Sequence, residues 1–141
     1  MQLSPIVPLS LDHVGLSVLD LERCRSFYQD AFGFQPEHAF TLDPHPIRGL
    51  MMRHESGARL ELFADAGSVA GLRASTPIEA LATRGYGHFA VSAPDIEPVF
   101  EQAIAAGASS VLTPRPSPEP GVRFAFLADP EGNLVELVER R

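Results

Sequence analysis

One pattern occurs twice in this chain, and it restricts the possible folds more than any other feature. His13-Val14-Gly15-Leu16-Ser17 near the start recurs as His88-Phe89-Ala90-Val91-Ser92 past the middle. At the same offset of 75 positions, Asp20-Leu21-Glu22 falls on Asp95-Ile96-Glu97, Gly57 on Gly132, and Leu60-Glu61-Leu62 on Val135-Glu136-Leu137. Each histidine is thus followed 48 positions later by a glutamate. The chain reads as two equivalent units, each contributing one imidazole and one carboxylate at matching places.

Hydrophobic periodicity assigns the same elements to both units. Leu11 to Val18 alternates, with Val14, Leu16 and Val18 on one side and His13, Gly15 and Ser17 on the other, which is the period of a strand. Asp20 then caps a helix whose apolar positions run Leu21, Cys24, Phe27, Tyr28, Ala31 and Phe32, and Gly33 ends it. Phe34 to Thr41, Ile47 to His54 and Arg59 to Ala64 follow as strands, separated by turns at Asp43-Pro44-His45-Pro46 and Ser56-Gly57. In the second unit Tyr86 to Ala93 is the strand. Asp95 caps a helix carrying Ile96, Val99, Phe100, Ala103 and Ile104, and Gly107 closes it. Ala108 to Thr113, Val122 to Ala128 and Leu134 to Glu139 are its last three strands. The stretch 114–121, with proline at 114, 116, 118 and 120, reads as irregular. The result is an α+β chain of two modules, 10–64 and 86–139, within a single domain spanning 1–141. Residues 65–85 form a linker with a short helix capped by Thr76, and residues 1–10 are an irregular lead-in.

Parity decides which way the polar groups face. If Val14, Leu16 and Val18 pack against the helix, His13 points to the opposite side of the sheet. Leu60 and Leu62 leave Glu61 on that same side, and the same logic places His88 and Glu136 opposite Phe89, Val91, Val135 and Leu137. A carboxylate flanked by leucine or valine is costly to bury unless a cation or partner compensates it. Converging, His13, Glu61, His88 and Glu136 would offer two nitrogen and two oxygen ligands. That set suits one divalent ion (Ni, Zn, Co, Mn or Fe) with positions left open for water or substrate. Gly15 and Ala90 leave space beside each ring.

Composition narrows the function classes. A net charge of −7 argues against nucleic acid or an anionic membrane surface as partner. All eleven Lys-plus-Arg cations are arginines, so Schiff-base chemistry and a lysine base are excluded. The lone Cys24 cannot form an internal disulfide, which fits a reducing, cytoplasmic setting. The N-terminal stretch lacks the basic start of a secretory signal, and no apolar run reaches the length of a membrane span.

His13-Val14-Gly15 with Asp20-Leu21-Glu22 and Phe27-Tyr28, then Tyr86-Gly87-His88 and Asp129-Pro130-Glu131-Gly132-Asn133-Leu134-Val135-Glu136-Leu137, resembles the vicinal oxygen chelate superfamily. This group includes glyoxalase I, bleomycin-resistance proteins, extradiol dioxygenases and methylmalonyl-CoA epimerase. The resemblance covers residues 10–139. It implies two tandem βαβββ modules whose sheets curve into a cup around one divalent metal, a small-molecule substrate and a homodimer. The order His, Glu, His, Glu is similar to bacterial glyoxalase I, a lyase that isomerises the glutathione hemithioacetal of methylglyoxal. On that basis His13, Glu61, His88 and Glu136 are the metal ligands, and the catalytic carboxylates are Glu136 and Glu61, with Glu136 the base that moves a proton alpha to a carbonyl through an enediolate. Two alternatives belong to other classes. An extradiol-type Fe(II) dioxygenase would ordinarily lack an acid at Glu61, and a non-catalytic drug-binding protein would not need the ligands.

The resemblance has departures. Bacterial glyoxalase I carries an arginine four residues after the first histidine and an asparagine four after the first glutamate, both gripping glutathione. Here those substrate-binding positions are Ser17 and Asp65, and an acid at 65 argues against a peptide that docks through carboxylates. Arg123 alternates with Val122 and Phe124 and is a candidate to face the cup and meet an anionic substrate. His38, His45, His54 and Glu55 read as solvated, and Tyr28, Tyr86 and Cys24 as packing residues.

Overall fold

The computed structural model describes residues 7–141, so the first six positions of the expected lead-in lie outside it. Residues 7–12 contain no regular element. The order that follows is strand, helix and three strands: β1 (His13–Val18), α1 (Leu21–Phe32), β2 (Gln35–Thr41), β3 (Ile47–Arg53) and β4 (Arg59–Asp65). After the short helix α2 (Pro77–Ala80) come β5 (Phe89–Ser92), α3 (Ile96–Ala105), β6 (Ser109–Pro116), β7 (Val122–Ala128) and β8 (Leu134–Arg140). Each half forms its own four-stranded mixed sheet, ordered β1-β4-β3-β2 and β5-β8-β7-β6. β1, which carries His13, and β5 lie parallel to β4 and β8, and the other neighbours are antiparallel. The expected strand Tyr86 to Ala93 is shorter than its pattern, and His88 stands in the irregular segment one residue before β5.

Local chemistry explains the helices. The Asp20 carboxylate accepts the Arg23 N–H at 3.0 Å, and Gly33 ends α1 in the left-handed region at φ 81°, donating its N–H to the Gln29 carbonyl. Asp95 caps α3 in the same way by accepting from Glu97 N–H at 3.1 Å. The missing N–H of Pro98 falls in the first turn of α3, where no helical partner would exist.

The two halves share one core. Val18, Cys24, Tyr28, Leu60 and Leu62 from the first half join Ile96, Ala103, Leu127, Val135 and Leu137 from the second, all at 1% exposure or less. Full burial of each large side chain contributes about 1.5–3 kcal/mol relative to exposure. Helices α1 and α3 pack on each other, so both sheets turn their uncovered faces away from this core. On the uncovered face of the first sheet Gly49 makes room for the Phe40 ring: a Cβ there would stand 2.3 Å from it, so a larger residue requires the ring to move.

Two expectations need correction. The proline-rich stretch is not wholly irregular, because β6 continues through Pro114 to Pro116. It is an edge strand with two register shifts, and a proline at an edge removes no hydrogen bond from the ladder. The other concerns β7. Arg123 lies on the helix-covered side, not in the cup, because Phe124 and Phe126 take the uncovered side. Its guanidinium reaches Glu97 on α3 at 2.6 Å and Glu139 on β8 at 3.5 Å. Among the described residues no helix is long and apolar enough to cross a membrane.

Candidate metal centre

In the first sheet, parallel pairing sets His13 beside Arg59 and Gly15 beside Glu61. Leu60, Leu62 and Ala64 are buried on the core side, so Glu61 is forced to the other face and meets the imidazole diagonally. His13 Nε2 stands 3.4 Å from Glu61 Oε1. The opposite ring nitrogen, Nδ1, lies 2.7 Å from Asp12 Oδ2. That hydrogen bond raises the His13 pKa above its ordinary value and lowers that of Asp12. With its Nδ1 proton directed at Asp12, neutral His13 keeps the Nε2 lone pair free toward Glu61.

The second sheet repeats the geometry with different support. Ala90 pairs with Glu136, which in turn faces Phe126 across the antiparallel β7–β8 register. His88 Nε2 lies 3.1 Å from Glu136 Oε2. Its ring sits edge-on against Phe126, with centroids 4.9 Å apart. Glu61 and Glu136 have side-chain exposures of only 18% and 23%, so each carboxylate is partly withdrawn from water beside its histidine.

The two pairs remain separate within one chain. Among the described residues, no three His, Cys, Asp or Glu groups gather closely enough to share an ion. Both histidines nevertheless line one cavity of about 510 Å³ between the starts of β1 and β5, together with Gly15, Tyr86, Phe89 and Leu134. Gly15 leaves that space open, since a Cβ there would meet nothing within 4 Å. Ser17 is exposed one step further along the same face as His13. Asp65 stands at the end of β4, its Oδ1 accepting the Gly67 N–H at 2.9 Å, so it shapes the turn.

The donor chemistry fits a divalent ion. Two ligands about 2.1 Å from one ion and roughly at right angles lie about 3 Å apart, which is close to the separation in both His–Glu pairs. The Asp12–His13 hydrogen bond supplies the carboxylate that metal-bound histidines ordinarily carry on their other nitrogen. Periodicity did not reveal Asp12. The signal that could have done so is the acidic residue immediately before the histidine, which has no counterpart at Gly87. Phe126 was legible only as an apolar strand residue.

A buried clasp fixes the halves relative to each other. The turn Asp129-Pro130-Glu131-Gly132-Asn133 reaches back to the start of α1. Leu19 and Asp20 donate their N–H groups to the Glu131 carboxylate at 2.7 and 2.8 Å, and the Tyr28 hydroxyl donates to Asp129 at 2.7 Å. Burial works to raise the Glu131 pKa, but the backbone donors from Asp20 and Leu19, the Cys24 thiol and the charge of Arg73 outweigh it and hold it below its ordinary value. Burial, with Glu131 and Asp129 beside it, pushes the Cys24 thiol far up. Cys24 is therefore an inert packing group.

The chain belongs to the Glyoxalase/Bleomycin resistance protein/Dioxygenase superfamily, whose family model matches residues 10–137. It is 28% identical over 131 residues to a lactoylglutathione lyase of Arabidopsis thaliana, an alignment covering 91% of this chain and 43% of the relative. The chain therefore spans less than half the length of that plant protein. A lactoylglutathione lyase of Haemophilus influenzae is 29% identical over 139 residues, covering 92% of this chain and 91% of the relative. A glyoxalase family protein from Enterococcus faecalis superposes with a TM-score of 0.75 at 25% identity, covering 92% of this chain and 97% of the other.

Proposed function

We propose that the protein is a divalent-metal-dependent lyase or isomerase of the glyoxalase I type, acting on a small oxygenated substrate as a homodimer. The observation that carries this reading is the duplicated His–Glu pair, one on the uncovered face of each sheet, with nitrogen and oxygen 3.4 and 3.1 Å apart. The lyase relatives support the reaction class. His13, Glu61, His88 and Glu136 would hold the ion, which when bound would stabilise negative charge on substrate oxygens as a neighbouring carbon loses its proton. Glu136 is the base: its carboxylate takes the proton alpha to the carbonyl and returns it to the adjacent carbon. His88, wedged against Phe126, keeps Glu136 directed at the site, and the tautomer of His13 is held by Asp12. The two-pair arrangement favours a homodimer, because in a single chain the four donors do not gather.

Metal content of protein purified without chelators is the test, by elemental mass spectrometry beside a His13→Ala/His88→Ala variant. About one Ni, Zn, Co, Mn or Fe per wild-type chain, lost in the variant, is expected. Glu136→Gln should lower turnover by roughly 10²–10⁴ with the metal retained, the usual worth of a positioned base. Full activity in that variant would remove Glu136 from the mechanism, and absence of metal even after reconstitution would leave a binding protein.

A further inference from the structure

We propose that a second copy of this chain docks on an apolar surface built by the linker and the segment before β1, and that this contact sets metal affinity. The surface is argued from exposed side chains and charge; the gathering of the donors rests on the metal reading above.

The linker does more than connect the halves. Ala80 of α2 is buried against Phe126 and Leu134, on the uncovered face of the second sheet. Thr76 accepts the Glu79 N–H at 3.0 Å, and the Glu79 carboxylate accepts the Ser75 N–H at 3.2 Å, so this turn is held in place. With Ala80 facing inward, Ile78 and Leu81 are turned out and stand 75% and 73% exposed. Tyr86, expected as a packing residue, is fully exposed at the mouth of the cavity between β1 and β5. Leu11 and Leu72 are exposed at the same mouth, and Ala80 lines the same cavity. These five large apolar side chains offer roughly 400–700 Å² in total. That is the size at which a patch marks a contact surface, and a large part of the ~800 Å² one partner gives to a standard interface.

Charge selects the occupant. Two chains of net charge −7 repel each other over most of their surface. Between residues 66 and 87, however, the only charged side chains are Arg73, Glu79 and Arg84, two cations against one anion. Here like can meet like.

A second copy also supplies what one chain lacks. The two His–Glu pairs do not gather within a chain, yet both histidines line the cavity that the patch surrounds. β1 and β5 are the free edges of their sheets, so no strand of the same chain stands between them and a partner. A contact between identical surfaces is reciprocal. With the two-fold axis at the cavity mouth, the first pair of one copy lies toward the second pair of the other, and this occurs twice. Metal affinity and self-association then form one linked equilibrium.

The experiment is sedimentation equilibrium on EDTA-treated protein, repeated with Zn²⁺ in slight excess, beside calorimetric titration of Zn²⁺. The wild type is expected to be a dimer whose dissociation constant falls at least about tenfold when Zn²⁺ is present. Ile78→Glu/Leu81→Glu should raise that constant at least about 100-fold and weaken Zn²⁺ binding with it, while thermal unfolding stays cooperative. Tyr86→Ser, a milder change, should act in the same direction. Leu42→Glu, at the exposed turn after β2, should alter neither property. A wild type that is monomeric with and without Zn²⁺ overturns the proposal, as does a double variant that dimerises like the wild type. Assemblies that grow past two copies also overturn it, since a reciprocal contact closes at the dimer. A double variant that is monomeric yet binds Zn²⁺ as tightly as the wild type keeps the surface and removes the cross-chain metal site, so the two readings fail separately.

Discussion

The two halves carry the same His–Glu pair at the same spacing, yet they hold it by different forces. His13 is tethered by a hydrogen bond from Nδ1 to Asp12, 2.7 Å away. At the equivalent place before His88 stands Gly87, which has no side chain, and the ring is steered by its edge contact with Phe126. The turns before β4 and β8 differ as well. In the first half His54 and Ser56 hydrogen-bond only to each other and to their own turn. In the second half the corresponding Asp129 and Glu131 reach across to Tyr28 and the start of α1. Duplicated backbones can therefore keep a metal-type geometry in both copies while only one copy takes on the task of joining them.

The sharpest way to break this comparison is at the clasp. Asp129→Ala strands the buried Tyr28 hydroxyl and two backbone N–H groups, and should cost about 2–4 kcal/mol in chemical denaturation. His54→Ala, its counterpart in the repeat, should cost no more than about 0.5 kcal/mol. Asp12→Asn comes next: loss of the outer carboxylate should weaken metal affinity about 10–100-fold by calorimetry, with folding stability little changed. Gly87→Ala should leave affinity near wild type, since nothing is anchored there.

A smaller effect concerns pH. The Glu131 carboxyl is held below its ordinary value near 4.5 in the folded state, so it favours folding. That contribution is complete above the unfolded value and fades as pH falls through the lowered folded one. In urea titrations across this acidic range Glu131→Gln should flatten the loss of stability, whereas its counterpart Ser56 carries no charge to remove. The smallest change is expected at Arg123. Arg123→Met should alter stability by about 1 kcal/mol or less and leave metal affinity unchanged. A large loss of affinity would return this residue to the site.

Much of this architecture was legible because its signals are local. Alternation on β1, β4 and β8 placed His13, Glu61 and Glu136 on the uncovered faces, and Asp20, Asp95 and Gly33 announced the helix ends. The face of Arg123 was not legible, because β7 is apolar on both sides. Ala125 and Leu127 enter the shared core, while Phe124 and Phe126 join a second cluster with Ala80 of α2. A strand apolar on both faces has no period-two signal to orient it. The clasp escaped for another reason: Tyr28 and Asp129 are 101 positions apart, and neither residue's pattern encodes its partner. The separation of the two pairs within one chain is likewise a property of how sheets are placed, which spacing along a chain does not carry.

The outer rims of the sheets differ from the inner ones in a way that bears on solubility. β2 and β6 are the outer strands, and each combines proline with a register break, at Pro36 and at Pro114 and Pro116. Missing N–H donors and a kinked ladder make both rims poor templates for an added strand. β1 and β5, also edge strands, contain neither. Strand addition is thus disfavoured on the outer rims and left open at the edges beside the histidines. The same prolines that interrupt the sequence pattern also steer any added strand toward the inner edges.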